Sequence, residues 1–139
     1  MSSVDSAITR LKALALASTD LTIKYAPSYP VSDATVFPLV ITHLSSGEAD
    51  AIADWGELRP IISVDFFFSL IDLKQAYTEA DACAIEYARR IAGDPTLNSS
   101  VDTVIFPISW EVAPTEYNGI PALMLSFSIP VKTMENKIT

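Results

Sequence analysis

Most of the residues on which enzymes build chemistry are scarce in this 139-residue chain. There is one cysteine, Cys83, which excludes an intrachain disulfide. With one histidine beside it, His43, too few soft ligands remain for a zinc or iron–sulfur site. The four glycines stand singly, so neither a P-loop nor a G-x-G-x-x-G turn can be drawn, and no G-x-S-x-G elbow occurs. Carboxylates are plentiful, but no pair is set apart as general acid and base. The reading is therefore no enzyme, no catalytic residue, no cofactor and no metal.

Basic residues are also few. Nine Lys and Arg stand against seventeen Asp and Glu, a net charge of −8. That balance opposes binding to a phosphate backbone or to an anionic membrane surface, both of which reward cations. The longest apolar runs, "ALALA" at 13–17 and "FFF" at 66–68, fall far short of the roughly 18 residues that span a bilayer. The opening "MSSVDSAITR" carries an acid at Asp5 and no basic-then-apolar ramp, so neither a signal nor a transit peptide is expected. A soluble, cytosolic product follows from these absences. A single domain over 1–139 is expected, large enough to bury roughly two-thirds of its surface.

What is present is a clear periodicity. Ser2 and Asp5 open a capping-box-like start, and Val4, Ala7, Ile8, Leu11, Leu14 and Ala15 recur at helical spacing, which predicts a helix over 3–18. "LTIKYA" at 21–26 alternates as a short strand, and the three prolines of "PSYPVSDATVFP" mark a loop. "FPLVITHL" at 37–44 and "PIISVDFFFSLI" at 60–71 read as two longer strands. The acidic "SSGEADAIADWGEL" joins them as a connector with room for a helical turn.

A second helix starts at Asp72 with Gln75 three residues on, and Leu73, Ala76, Tyr77, Ala80, Cys83, Ala84, Tyr87 and Ile91 form its apolar stripe. Gly93 is expected as a left-handed C-cap, with Pro95 barring continuation. Val104, Phe106, Ile108 and Trp110 then share one face of a strand. Leu123, Leu125, Phe127, Ile129 and Val131 share one face of another. "APTEYNGIPA" between them is read as a loop around Asn118-Gly119, and the polar "KTMENKIT" at 132–139 as a fraying tail.

The order α-β-β-β-α-β-β predicts an α+β fold, a mostly antiparallel sheet of about five strands with two helices on one face. The other face is expected to be half apolar. Ile61, Phe67, Ile105, Ala122 and Met124 mix there with Ser63, Asp65, Ser69, Thr103, Ser109, Ser126 and Ser128, and a partner is expected to cover it.

Individual residues have plain readings beside sharper ones. His43 reads as a satisfied sheet residue and Cys83 as core packing. Glu48, Asp50, Asp54 and Glu57 lack the ligand alternation and glycine placement of an EF-hand. Trp55 either folds back onto the core or anchors a partner. Arg89 and Arg90 close the second helix, where cations favour the dipole by about 0.3–1 kcal/mol. One arginine suffices for that. Adjacent helical residues point about 100° apart, so the other is free to reach an acid such as Asp54 or Glu57 on a neighbouring subunit.

Together "RRIAGDPTLNSSV", "VIFPISWEV", "EYNGIPA" and "LMLSFSIPV" carry a resemblance. In order and spacing the chain resembles the tail terminator, or minor tail (tail completion), proteins of long-tailed bacteriophages. The motif-bearing part is 87–131. The chain departs from that pattern at Asn98-Ser99, where small residues, often glycines, are common; Asn tolerates left-handed backbone better than most residues. The resemblance implies a virion structural protein of the neck, assembled in the host cytoplasm. It implies a homo-oligomeric, typically hexameric, ring that caps the tail tube, meets the sheath if the tail is contractile, and docks to the head connector. DNA would pass through the lumen without specific binding. The implied subunit interface draws on Arg89, Arg90, Asp54, Trp55, Glu57 and Phe67. Two other readings stand beside it: a head–tail connector or adaptor of the same neck, and a free α+β small-ligand-binding or regulatory domain.

Overall fold

A computed structural model describes residues 3–18, 38–52, 55–117 and 119–136. Among them the element order is α1 (Ser3–Ala17), β1 (Leu39–Ile52), β2 (Trp55–Ser69), α2 (Leu73–Ala92), β3 (Thr103–Val104), β4 (Ser109–Tyr117) and β5 (Ile120–Asn136). The strands form an antiparallel sheet in the order β1-β2-β5, with β3 and β4 both pairing to β5. The α+β class and the helix-covered sheet are as expected. The order is α-β-β-α-β-β-β; the strand expected at 21–26 and the loop after it, through 37, lie outside the described residues.

One face of the sheet makes the main core because the strands alternate. Leu123, Leu125, Phe127, Ile129 and Val131 of β5 are fully buried, beside Ile62, Val64, Phe66 and Phe68 of β2. α1 contributes Ala7, Leu11, Leu14 and Ala15, the i, i+4, i+7, i+8 set that places one stripe against a sheet. On α2 the buried stripe is Ala76, Ala80, Cys83, Ala84, Tyr87 and Ile91. Leu73 and Tyr77, expected in that stripe, are 58% and 38% exposed, whereas Ala76 between them is buried. Asp72 caps α2 as expected, its Oδ1 accepting from the Gln75 N–H at 3.1 Å.

Five sequence expectations need correction. The acidic connector expected at 45–58 is strand over 45–52 and 55–58. β1 runs to Ile52 and β2 starts at Trp55, paired from Gly47↔Pro60 out to Ile52↔Trp55. The tail is strand as far as Asn136, since Trp55 pairs with Asn136 and Leu58 with Thr133, and Thr133 is buried. Each segment supplies the other's hydrogen-bonding partner, so pairing overrides weak strand propensity in both. A Cβ on Gly47 would lie 2.9 Å from the Pro60 Cα, so this close approach requires glycine.

The strand expected through 104–110 is interrupted. The chain advances five residues from Val104 to Ser109 while its partner retreats three, from Val131 to Ser128, so two residues loop out. Pro107 has no N–H to give a ladder, and its peptide bond with Phe106 is cis. β4 then reaches into the expected loop. Tyr117 pairs with Ile120 across a two-residue turn, where Gly119 takes φ +77°.

Finally, Gly93 is right-handed, with φ −82° and ψ −4°. Its N–H donates to the Arg89 carbonyl at 3.0 Å, and the Asp94 N–H donates to that of Ile91 at 3.0 Å, which extends the helical pattern past α2. The left-handed turn comes later, at Leu97 (φ 49°), Asn98 (57°) and Ser99 (64°). Each such residue costs roughly 1–2 kcal/mol. Burial of Leu97 in the core offsets part of that, as do bonds from the Asn98 N–H to Asp94 Oδ1 (2.9 Å) and from the Ser99 N–H to Thr96 Oγ1 (3.3 Å).

Candidate functional site

The face of the sheet turned away from the helices divides in two. At one end Leu39, Ile41, Phe67 and Ala122 form a second small core, with the Tyr117 ring 4.8 Å from that of Phe67. Phe67 is 6% exposed, so the expected partner anchor is enclosed within its own chain. Further along, the same face turns polar because β5 changes from Ala122 and Met124 to Ser126 and Ser128. Asp65 sits in the middle of that stretch. It accepts a 2.6 Å hydrogen bond from Ser126 Oγ, and its other oxygen lies 3.6 Å from His43 Nε2.

Serine, aspartate and histidine meet here in an order unlike a hydrolase triad. The serine donates to the carboxylate rather than to the imidazole, so no base activates it. Cys83 lies on the opposite, helix-covered face, where burial pushes its thiol up to about 12 and removes it as a nucleophile at neutral pH. Tyr87, fully buried, is raised by burial first and by Cys83 second. Its hydroxyl donates to the Leu11 carbonyl at 3.0 Å, joining α2 to α1. Among the described residues, no three of His, Cys, Asp and Glu gather as a metal would need, and no helix is long and apolar enough to cross a membrane.

Several of the residues expected at a subunit contact are engaged within their own chain. Arg89 Nη1 lies 3.2 Å from Glu86 Oε2, and Arg90 Nε lies 3.1 Å from Glu86 Oε1. The two arginines that point apart thus converge on a single glutamate of their own helix. Glu57 is already held within the chain, with Arg59 at 3.1 Å and Lys132 at 3.3 Å. Arg59 also reaches Glu48 at 3.5 Å, so acids and bases of β1, β2 and β5 tie the outer part of the sheet together. Trp55 opens β2, its backbone paired to Ile52 and Asn136. Asp54 lies outside the described residues.

Sequence reasoning missed a different arginine. Arg10 on α1 gives its Nε–H to Asp94 Oδ2 at 2.7 Å, across 84 positions of chain. Burial pushes the Asp94 carboxyl up, but the hydrogen bonds from Arg10 and from the Asn98 N–H, with the charge of Arg10, hold it below the usual aspartate value. Beside this pair lies a groove of about 620 Å³ lined by Ser6, Thr9, Arg10, Ala13, Asn98, Ser99 and Ser100. The left-handed turn forms its far wall. The one signal in the sequence was "GDPTLNSS", read as a helix stop; nothing in its spacing points to Arg10 as the partner. A second, smaller cavity of about 270 Å³ lies on the polar sheet face, among Ser109, Trp110, Glu111, Ser126 and Ser128.

Large apolar side chains remain exposed in separate places. Leu44 on β1 is 51% exposed, and Phe106, just before β4, and Trp110 near its start are each 46% exposed. Among the described residues β1 forms one edge of the sheet, and β3 and β4, both paired to β5, form the other. No family model matches the chain, and no curated protein matches it either.

Proposed function

We propose that the chain is a structural protein of the phage neck, a ring-forming subunit that terminates the tail tube and offers a docking surface to the head connector. The observation that carries this reading is the pair of sheet edges that no further strand covers among the described residues. A closed ring needs two different patches on each subunit, one to give and one to receive. Among the described residues β1 with Leu44, and β4 with Trp110 and the preceding Phe106, lie at opposite edges of one sheet, which gives each subunit two different patches for a head-to-tail contact. The resemblance over 87–131 supplies the identity of the assembly, and the net charge of −8 suits a lumen through which DNA slides without phosphate contacts. The reading extends to the tail tube protein, the sheath of a contractile tail and the head connector as partners.

The test is size-exclusion chromatography with light scattering, followed by negative-stain imaging, on the chain alone and mixed with a tail tube protein from the same source. Rings of uniform subunit number are expected. A strict monomer in both conditions overturns the reading. A ring that binds portal-side connector components and not the tail tube would move the protein to the adaptor position in the same neck.

A further inference from the structure

The free side of β4 is interrupted in its middle. Tyr117 and Ile120 flank a two-residue turn and so exchange both backbone bonds, and the pairing alternates from there: Thr115↔Ala122, Ala113↔Met124 and Glu111↔Ser126 bond inward to β5. The residues between them, Trp110, Val112, Pro114 and Glu116, turn their backbone groups outward, where among the described residues no strand meets them. Such a row is a template for a further strand. In it stands Pro114, exposed and without an N–H.

The rest of the strand invites addition. Trp110 is 46% exposed, Val112 is half-buried, and Glu111 and Glu116 carry the only charges of Ser109–Tyr117. Those acids point to opposite faces of the sheet, so neither lies in the path of an incoming backbone. Pro114 does. An antiparallel strand laid on this edge finds donors at Trp110, Val112 and Glu116 but none at Pro114, where its carbonyl is left unbonded against the pyrrolidine ring.

The opposite edge is broken by other means. In β1 the register steps from Leu44↔Ile62 to Ser46↔Ile61, so Ser45 is an extra residue, and its Oγ donates to the Ile61 carbonyl at 2.9 Å. A bulge of this kind twists an edge and interrupts its ladder.

We infer that Pro114 closes the β4 edge to strand addition by a second copy of this chain, so that any contact between copies is made by side chains rather than by a continuous sheet. The inference goes beyond the ring-forming reading and is judged separately from it.

Pro114→Val and Pro114→Ala each restore the outward donor, one with a β-branched side chain and one with almost none. Thr115→Val is the control, equal in size and more apolar, with its N–H turned inward to β5. Sedimentation velocity over a concentration series reads association, circular dichroism confirms the fold, and hydrogen exchange follows the amides of Trp110, Val112 and Glu116. Both Pro114 variants should associate at a concentration lower than the wild type's by about tenfold or more, with the three amides protected in the associated species. Thr115→Val should stay within about twofold of the wild type. If Pro114→Val misfolds, Pro114→Ala decides alone. Association of a folded Pro114→Val but not of Pro114→Ala would trace the effect to apolar surface and overturn the proposal, as would two folded variants that behave like the wild type. Wild-type rings in which the three amides are already protected would also overturn it, because the copies would then share a sheet, while the ring reading would stand. A wild type that remains a monomer removes the ring reading and leaves the role of Pro114 to be decided by its two variants.

Discussion

The aromatic centre of the molecule and the ion pairs around its rim hold the chain together by different means. In the centre Phe66, Tyr87 and Phe127 meet edge to face, with centroids 4.9–6.3 Å apart and every ring fully buried. At the rim, Arg10 clasps Asp94, Glu57 collects Arg59 and Lys132, and Glu86 collects Arg89 and Arg90, all with at least one partner substantially exposed. Packing in a dry centre is non-directional and large. An ion pair at the surface is directional and small, since water and salt screen what the charges gain. The centre should set how stable the fold is, and the rim how its parts are aimed.

The largest effect is expected where the comparison is sharpest. Phe127 touches Phe66, Tyr87 and Trp110, and Phe127→Ala leaves a cavity that the flanking strands β2 and β4 cannot close. It should cost about 3–5 kcal/mol by chemical denaturation. A loss under about 1 kcal/mol would mean that the centre is loosely packed and that the comparison fails.

Tyr87→Phe keeps the ring and deletes the hydroxyl that donates to the Leu11 carbonyl. That carbonyl already takes part in the ladder of α1, so it is not stranded, and a loss of about 1 kcal/mol is expected. Hydrogen exchange should report the loss as faster opening of α1 relative to β5. An effect as large as that of Phe127→Ala would show that a polar contact, not ring packing, joins the two helices.

How much of this was legible in the sequence follows the same division. Periodicity exposes packing, so both helices, the buried stripe of α2 and the inward set of β5 could be read from apolar spacing. Pairing between distant segments has no such signature. The acidic 45–58 and the polar 132–136 read as connector and tail because each looks unlike a strand until the other is laid beside it. Gly93 read as a left-handed cap because glycine usually is one, yet the turn fell on Leu97, Asn98 and Ser99, where core burial and two side-chain caps stabilise it. The contacts that the interface candidates make within the chain were hidden for a related reason. Phe67 lies on the face opposite the helices and was read as open, but Leu39, Ile41 and Tyr117 surround it, a cluster assembled from three strands. Arg10 was invisible as a site because its partner lies 84 residues away.

The Arg10–Asp94 clasp makes the rim sensitive to acid. Asp94 has a folded-state pKa below its unfolded value of about 3.9. Its contribution is therefore complete above that value and is lost as pH falls through the lower, folded one. Acid titration of Asp94→Asn against the wild type should give stability curves that converge as Asp94 protonates, with the difference greatest near neutral pH. Curves that stay parallel from pH 7 to pH 2 would show that the carboxylate's charge is irrelevant to the clasp.

The smallest effect belongs to the two arginines that the sequence made most conspicuous. Both reach Glu86, three and four residues back on their own helix, and Arg89 is 76% exposed, a setting in which such pairs contribute about 0.3–0.5 kcal/mol. Removing one leaves the other to hold the glutamate, so Arg89→Ala and Arg90→Ala should each change stability by no more than about 0.5 kcal/mol. The double variant should lose more than the sum of the singles, because only then is Glu86 left alone, and that non-additivity is the measurable mark of a shared acceptor. Assembly should survive all three variants if the two arginines serve only their own helix. A folded Arg89→Ala or Arg90→Ala chain that cannot form rings would reverse that assignment and place the subunit contact at the C-terminal end of α2.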